Sequence, residues 1–184
     1  MTTKIKILII GDPQTGKTTL YKRMMQAEKE AKTKVTLQVD IFEVTKTLEG
    51  KEYLIEVVDF PPRLLAGQTK SRFFLGASAA IILYDISKPE TFRHVPHWYD
   101  ELSNYSGYGK IPVYILGNKS DLRERTQKAL NPIDAHILIN RMNRAITRER
   151  ITNIHDEISA KDGRGISAIL DKLVKNVIAW SEKK

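Results

Sequence analysis

Gly11-Asp12-Pro13-Gln14-Thr15-Gly16-Lys17-Thr18 has the spacing G-x-x-x-x-G-K-T, and it joins the apolar run of residues 5–10 to a helical pattern. We call this stretch the phosphate loop, because a loop between a buried strand and a helix turns backbone N–H groups towards phosphate oxygens. Gly11 and Gly16 allow backbone angles and a close approach that a Cβ atom would block. The alternative is a chance glycine-rich turn, and the flanking strand and helix argue against it. The stretch therefore predicts a nucleotide-phosphate site.

Two side chains of the phosphate loop have types and positions that suit nucleotide chemistry. Lys17 can reach the terminal phosphates, and the Thr18 hydroxyl can ligate Mg²⁺. The spacing alone identifies neither the base nor the reaction. The residues expected to contact the nucleotide here are Gly11, Gln14, Thr15, Gly16, Lys17, Thr18 and Thr19.

Length and composition favour one domain that covers residues 1–184. The chain has no cysteine, which excludes disulfides, a thiol nucleophile and cysteine-linked lipids, and which fits a cytoplasmic location. No apolar run reaches the about 20 residues that span a membrane, and the N-terminus lacks a signal-peptide pattern. The net charge of +8 suits polyanionic partners, or a solvated surface without a partner. The basic stretches lack interleaved aromatic residues, so nucleic-acid binding is not expected.

The order of apolar runs and helical patterns predicts an α/β fold. Residues 32–36 are polar and aperiodic, which indicates a loop. Two alternating runs form a hairpin around a turn at Leu48–Lys51, which adds one antiparallel edge strand to a mostly parallel sheet with helices on both faces. The six predicted strands cover residues 5–10, 37–44, 53–58, 79–84, 111–117 and 151–158. The predicted helical regions are residues 18–31, 89–105, 122–150 and 166–178, with an irregularity at Pro96, and residues 64–76 are predicted to be irregular and then helical.

Polar residues follow several of the predicted strands. Ligands of such sheets bind at the carboxyl ends of the strands, where the phosphate loop, Asp59, Asn118 and Ser159 are all expected. These positions predict one site at one edge of the sheet.

The base motif, Asn118-Lys119-Ser120-Asp121, follows the fifth predicted strand, and the base loop, Ser159-Ala160-Lys161, follows the sixth. The Asp121 carboxylate can accept hydrogen bonds from guanine N1–H and from its exocyclic amine, and adenine has no donor in that place. An unpaired buried carboxylate costs at least about 1–3 kcal/mol, so guanine is favoured tenfold or more. The stem of Lys119 can lie over the base, the Ala160 N–H can donate to the guanine carbonyl, and Lys161 can flank the ring. The two motifs together predict a guanine nucleotide.

The chain resembles the Ras-like small GTPases, and the Rab branch most closely, along nearly its whole length. Thr36-Leu37-Gln38-Val39-Asp40-Ile41 is similar to the Rab pattern T-I-G-V-D-F. Ser71-Arg72-Phe73-Phe74-Leu75-Gly76-Ala77 is similar to S-S-Y-Y-R-G-A, and residues 80–85 are similar to the strand G-I-I-V-V-Y-D.

This resemblance implies a P-loop NTPase fold and a switch that binds GTP or GDP with Mg²⁺. Thr18 and Thr36 would ligate Mg²⁺, Asp59 would hold it through water, and Thr36 would engage only with GTP bound. Effector and regulator proteins would bind through residues 33–42 and 60–75.

The sequence departs from the family at the second switch. The family motif D-T-A-G-Q is replaced by Asp59-Phe60-Pro61-Pro62-Arg63. The family glycine donates its N–H to the γ-phosphate, and Pro62 has no N–H. The family glutamine orients the attacking water, and Arg63 cannot accept a hydrogen bond from that water. We therefore expect weak intrinsic GTP hydrolysis.

Two alternatives stay open for this motif. Ala66-Gly67-Gln68 reproduces A-G-Q five residues late, so a rearranged loop could bring Gln68 to the water. Arg63 could instead offer its charge to the transition state, as an arginine finger does; an exposed arginine without a role is the simpler interpretation.

Three other departures concern the loops and the surface. Pro13-Gln14 makes the phosphate loop stiffer and bulkier than in the family, and Lys29 replaces an aromatic residue expected against the guanine. Residues 118–159 are about ten residues longer than in typical Rabs, and residues 123–150 carry a net +4. This basic segment is either a longer solvated helix or a docking surface for an acidic partner or an anionic membrane.

The sequence therefore favours a guanine-nucleotide switch and leaves two rivals. One is a scaffold that binds GTP without switching, and the other is a P-loop ATPase or kinase, against which the base motif argues. Without a lipidation site, membrane association would need a partner or the basic segment.

Overall fold

The computed structural model describes residues 3–35, 39–60 and 68–182, and the side chains of residues 35 and 68–70 are left out of the description. The described strands are β1 (Thr3–Ile10), β2 (Lys32–Val35), β3 (Asp40–Leu48), β4 (Lys51–Asp59), β5 (Ala79–Asp85), β6 (Val113–Asn118) and β7 (Ile154–Glu157). The described α-helices are α1 (Lys17–Ala27), α2 (Gln68–Phe74), α3 (Pro89–Arg93), α4 (Val95–Tyr105), α5 (Pro132–Ala145) and α6 (Ile169–Ser181). Two short 3₁₀ segments cover Ser120–Arg125 and Thr147–Glu149.

The strands form one sheet in the order β2-β3-β4-β1-β5-β6-β7. β3 runs antiparallel to both of its neighbours, and the pairs from β4 to β7 are parallel. Residues Glu49 and Gly50, both with positive φ, join β3 to β4 in a two-residue turn, as the sequence predicts. The predicted α/β architecture, a mostly parallel sheet with an antiparallel hairpin, is confirmed.

The expected number of strands, six, is wrong, because the described sheet has seven. The additional strand is β2, which covers most of the segment predicted to be a loop. It lies at the edge of the described sheet and pairs with β3, and Lys34 forms a salt bridge of 2.8 Å with Glu43 across that pair. An edge strand with exposed polar side chains buries no apolar face, so it leaves no apolar alternation in the sequence.

β1 lies in the centre of the sheet and separates two apolar cores. Ile7 and Ile9 point into the core under α1 and α6, while Leu8 and Ile10 point into the core under α4 and α5. Alternate residues of a strand face opposite sides of its sheet, so a strand covered on both faces is apolar at consecutive positions. This is why residues 5–10 form an almost unbroken apolar run.

The helix predicted from Pro89 to about Tyr105 divides into α3 and α4 at His94. Pro96 explains this division, because proline has no N–H to donate to the carbonyl four residues earlier. The division lets α4 begin beside the phosphate loop, with its first turn facing that loop. Within the described residues, no helix is long and apolar enough to cross a membrane.

Candidate nucleotide-binding site

The phosphate loop follows β1 directly and ends in the first turn of α1. Gly11 has φ 137°, and a Cβ atom there would lie 2.2 Å from the backbone oxygen of Leu83. Gly16 has φ 97°, and a Cβ atom there would lie 2.3 Å from the Asn118 side-chain nitrogen. Both positions therefore require glycine, and the loop passes closely over the end of β5 and against Asn118.

Lys17 is folded back into the phosphate loop. Its Nζ donates to the carbonyl oxygens of Asp12 at 2.6 Å and Gly11 at 3.0 Å, and the residue is 6% exposed. Burial lowers the pKa of Lys17 to about 8, and the negative charges of Asp59 and Asp12 oppose that shift. Among the described residues, neutral carbonyl oxygens are the hydrogen-bond acceptors of this buried ammonium, so a phosphate group in the same place would stabilise it further.

Thr18 and Asp59 meet at the edge of the loop. The Thr18 hydroxyl donates to Asp59 Oδ2 at 2.6 Å, and Asp59 Oδ1 is buried without a hydrogen-bond partner among the described residues. Burial raises the pKa of Asp59, and the charge of Asp40, directly opposite on β3, adds to the rise. An unsatisfied carboxylate oxygen next to a hydroxyl is a donor set of the kind that hard divalent cations prefer, so these residues fit Mg²⁺.

The Asp12 side chain connects the phosphate loop to the start of α4. Its Oδ1 accepts the Trp98 Nε1–H at 2.8 Å, and its Oδ2 lies 2.6 Å from His94 Nδ1. The Thr15 hydroxyl donates to the Asp12 carbonyl at 2.9 Å, which adds an internal brace. No sequence pattern indicates this contact, because Asp12 occupies one of the unspecified positions of the loop motif.

Asn118 connects the phosphate loop to the base loop. Its Nδ2 donates to the Thr15 carbonyl at 2.8 Å, and its Oδ1 accepts the Ala160 N–H at 2.9 Å. Asn118 is buried, so both contacts are made away from water. The Ala160 N–H, expected to donate to guanine, is thus engaged by Asn118 in this structure.

Lys119 adopts a left-handed backbone conformation, with φ 68°, that turns its side chain across the site. Its Nζ lies 2.6 Å from Asp85 Oδ2 and donates to the Gln14 carbonyl at 2.9 Å. The stem of Lys119 therefore spans the space between β5 and the phosphate loop. Asp85 was not singled out for a role, although a buried acid that ends a buried strand was an available signal.

Asp121 of the base motif and Ser159 of the base loop are hydrogen-bonded to each other. Asp121 Oδ1 accepts the Ser159 hydroxyl at 2.8 Å, and Ser159 Oγ accepts the Asp162 N–H at 3.1 Å. Next to them is a pocket of about 310 Å³, which we call the base pocket, lined by Gly16, Thr19, Asn118, Lys119, Asp121, Leu122, Ala160 and Lys161. Two residues expected to contact the phosphates, Gly16 and Thr19, thus line the same pocket as the residues expected to contact the base.

Some expected residues are not placed at this site. Thr36, Pro62 and Arg63 lie outside the described residues, and Gln68 begins α2 with its side chain outside the description. Lys29 lies exposed in the turn after α1. The arrangement around the γ-phosphate and the second switch therefore stays a prediction from the sequence.

A glycine-dependent phosphate loop and a base pocket at the carboxyl edge of a parallel sheet define a nucleotide-binding protein of the P-loop class. The sequence model of the Ras family matches residues 6–179. The chain belongs to the Ras family of small GTPases.

Similar curated proteins agree with this assignment. Ras-related protein Rab-19 of Mus musculus is 29% identical over 179 residues, which cover 95% of this chain and 75% of that protein. RABA4b of Arabidopsis thaliana is 32% identical over 130 residues, which cover 71% of this chain and 57% of that protein. Rab-33A of Mus musculus is 32% identical over 144 residues, which cover 73% of this chain and 59% of that protein. These relatives place the chain near the Rab branch, and membership of the family supports GTP binding and GTPase activity.

Proposed function

We propose that this chain is a GTP/GDP switch with weak intrinsic hydrolysis, formed by one G domain over residues 1–184. The nucleotide assignment rests on the two hydrogen bonds of the Asn118 amide, which hold the phosphate loop and the base loop next to each other. In this proposal Asp121 reads the guanine edge and Lys119 covers its face. Thr18, Thr36 and Asp59 hold Mg²⁺, Asp59 through water.

The proposal of weak hydrolysis rests on Pro62 and Arg63. A γ-phosphate that meets no N–H at residue 62 and no water-orienting acceptor at residue 63 lacks two of the groups that the family uses. Effectors and regulators are proposed to bind through residues 33–42 and 60–75, so an altered second switch also changes the surface that they meet.

A single-turnover assay with purified protein and GTP tests this proposal. The expected rate is below about 3 × 10⁻⁴ s⁻¹, the intrinsic rate of Ras. The double variant Pro62→Gly/Arg63→Gln restores the family residues and should hydrolyse faster, while Lys175→Met, an exposed substitution on α6, should match the parent. A parent rate at or above that of Ras would refute weak hydrolysis.

Two further variants test the alternatives for the second switch. If Gln68→Ala hydrolyses GTP more slowly than the parent, Gln68 orients the attacking water. If Arg63→Ala is slower, Arg63 contributes to hydrolysis.

Two rival functions make different predictions for binding. A scaffold that does not switch would hold one of GDP and GTP far more tightly, whereas a switch exchanges both and changes its effector surface between them. A P-loop ATPase or kinase would let ATP displace bound GDP. Competition of GDP, GTP and ATP for the nucleotide-free protein separates these cases in one measurement.

The basic segment offers a further contact surface on α5 and on the 3₁₀ segment that follows it. Ile133 and Ile137 are 64% and 61% exposed and stand one helical turn apart. Arg141, Arg144 and Arg148 follow them, exposed and without an ion pair among the described residues. Two apolar anchors followed by free cations support the proposal of an acidic partner or an anionic membrane.

Vesicles of phosphatidylcholine with and without about one third phosphatidylserine test the membrane form of this proposal. Binding should require the anionic lipid, fall steeply with salt, and weaken in the Arg141→Gln/Arg144→Gln variant but not in Lys175→Met. Binding that ignores both the anionic lipid and salt would leave only the acidic-partner form.

A further inference from the structure

Arg23 joins the helix of the phosphate loop to the base loop. It lies on α1, and its Nε donates to the Ala160 carbonyl at 3.2 Å while its Nη2 donates to the Lys161 carbonyl at 2.7 Å. One planar guanidinium thus holds two successive carbonyl groups that are 137 and 138 residues away in the chain. Arginine suits this task because its donors form a rigid fork.

The first of these contacts also orients a backbone donor. The peptide between Ala160 and Lys161 is planar and trans, so its C=O and its N–H point in opposite directions. Because Arg23 holds the Ala160 C=O on the α1 side, the Lys161 N–H points away from α1. Lys161 lines the base pocket, and among the described residues its N–H makes no hydrogen bond.

The other candidate donor of the base loop is already engaged. The Ala160 N–H donates to Asn118 Oδ1 at 2.9 Å, and a donor with a buried acceptor gains little by exchanging it for another. The Lys161 N–H is therefore the donor that the pocket offers without losing a contact.

We propose that Arg23 is a positioning residue for base recognition, which fixes the Ala160–Lys161 peptide so that the Lys161 N–H meets the 6-oxo group of guanine. The proposal rests on the proposed guanine-nucleotide site. A fixed donor at this point also disfavours adenine, which carries an amine where guanine carries the oxygen. Arg23 thus contributes to specificity for 6-oxopurines without touching the base.

Displacement titrations with two nucleotides test this role. The probes are GDP and the 5′-diphosphate of 2-aminopurine riboside, which keeps the 2-amino group and lacks both the 6-oxo group and the N1–H; only the change in each dissociation constant between parent and variant is compared. In Arg23→Met the dissociation constant for GDP should rise about tenfold, as expected for one well-placed hydrogen bond in a pocket. The constant for the 6-deoxo nucleotide should change less than twofold, because it never made that contact.

Two further variants complete the experiment. Arg23→Lys keeps the charge with a point donor instead of a fork, so its effect on GDP should lie between parent and Arg23→Met. Lys175→Met on α6 should leave both constants unchanged. If Arg23→Met does not fold, Arg23→Lys carries the same comparison between the two nucleotides.

Equal weakening of both nucleotides would overturn the proposal, because Arg23 would then only support the loop. Unchanged GDP affinity in Arg23→Met would overturn it too. A parent protein that binds neither nucleotide refutes the proposed function instead, so the two failures are distinguishable.

Discussion

Lys119 and Asp85 form an ion pair, with 2.6 Å between Nζ and Oδ2, in which the aspartate is almost wholly buried and the lysine partly exposed. Burial acts to raise the pKa of Asp85, but the ion pair with Lys119 and the hydrogen bonds from Ser87 outweigh it, so the pKa is lowered. Asp85 is therefore charged at neutral pH. Its charge fixes the end of the Lys119 side chain, and thereby the course of the stem over the base pocket.

Replacing Asp85 with asparagine should loosen nucleotide binding. Asp85→Asn keeps an acceptor for the Ser87 N–H and removes the charge that holds Lys119, so the stem is free to turn into solvent. We expect GDP to dissociate about tenfold faster, which corresponds to about 1.4 kcal/mol. Dissociation of a fluorescent GDP after addition of excess unlabelled GDP measures this change.

Glu56→Gln is the matched control for that variant. Glu56 forms a 2.7 Å ion pair with Lys4 on the neighbouring strands β4 and β1, and neither residue lines the base pocket. GDP dissociation should be unchanged in this control. Equal acceleration in both variants would show that loss of an ion pair, and not release of Lys119, is the cause.

Substituting Trp98 tests the outer fastening of the phosphate loop. Trp98→Phe removes the Nε1–H that Asp12 accepts and keeps an aromatic ring in the core. The loss of one hydrogen bond to a carboxylate should speed GDP dissociation about fivefold, equivalent to about 1 kcal/mol. Trp180→Phe, an equally buried indole on α6, should lower the melting temperature without this acceleration. Identical rates for Trp98→Phe and the parent would contradict the fastening.

Nucleotide binding should take up a proton at alkaline pH. The pKa of Lys17 in the folded protein is lowered from 10.5 to about 8 by burial. Phosphate groups favour the charged lysine, so above about pH 8 binding must add a proton, and the affinity should fall as pH rises. Calorimetry of GDP binding in two buffers of different ionisation enthalpy measures that uptake, which should be substantial near pH 9 and small near pH 7.

The lowered pKa of Lys17 also makes the stability of the folded protein depend on pH. Between about pH 8 and 10.5 the unfolded chain keeps a proton that folded Lys17 has released, so Lys17 makes the nucleotide-free protein more stable as pH rises through this window. Lys6, whose pKa is also lowered by burial, provides the control. Proton uptake on GDP binding should persist in Lys6→Met; its disappearance there would contradict the assignment to Lys17.

Two glycine substitutions should differ sharply in their effect on stability. A Cβ atom in Gly11→Ala would lie 2.2 Å from the Leu83 carbonyl oxygen, which belongs to the central sheet and cannot move aside. Gly50 also has positive φ, but nothing lies within 4 Å of a Cβ atom there. Urea denaturation should show a loss of about 1 kcal/mol for Gly50→Ala and of more than about 4 kcal/mol for Gly11→Ala. Similar losses would contradict the close approach.

Motifs and apolar periodicity predicted the sheet and the residues around the pocket, because both depend on order along the chain. Strand β2 was missed because an edge strand with polar side chains buries no face. Asp12 and Arg23 were missed because their partners are 82 to 138 residues distant along the chain, and Asp85 because its partner Lys119 is 34 residues away. Contacts of that kind depend on packing, which no local pattern encodes.

In the proposed site, the two-sided contact of Asn118 would make the nucleotide a bivalent ligand. Because one amide ties the phosphate loop to the base loop, the two half-sites are held at a fixed spacing, and binding one end of the nucleotide presents the other at high effective concentration. Guanosine and pyrophosphate added separately should therefore bind far more weakly than GDP, even with every contact available. We therefore expect the affinity of the site to depend on that spacing as well as on the contacts made with the nucleotide itself.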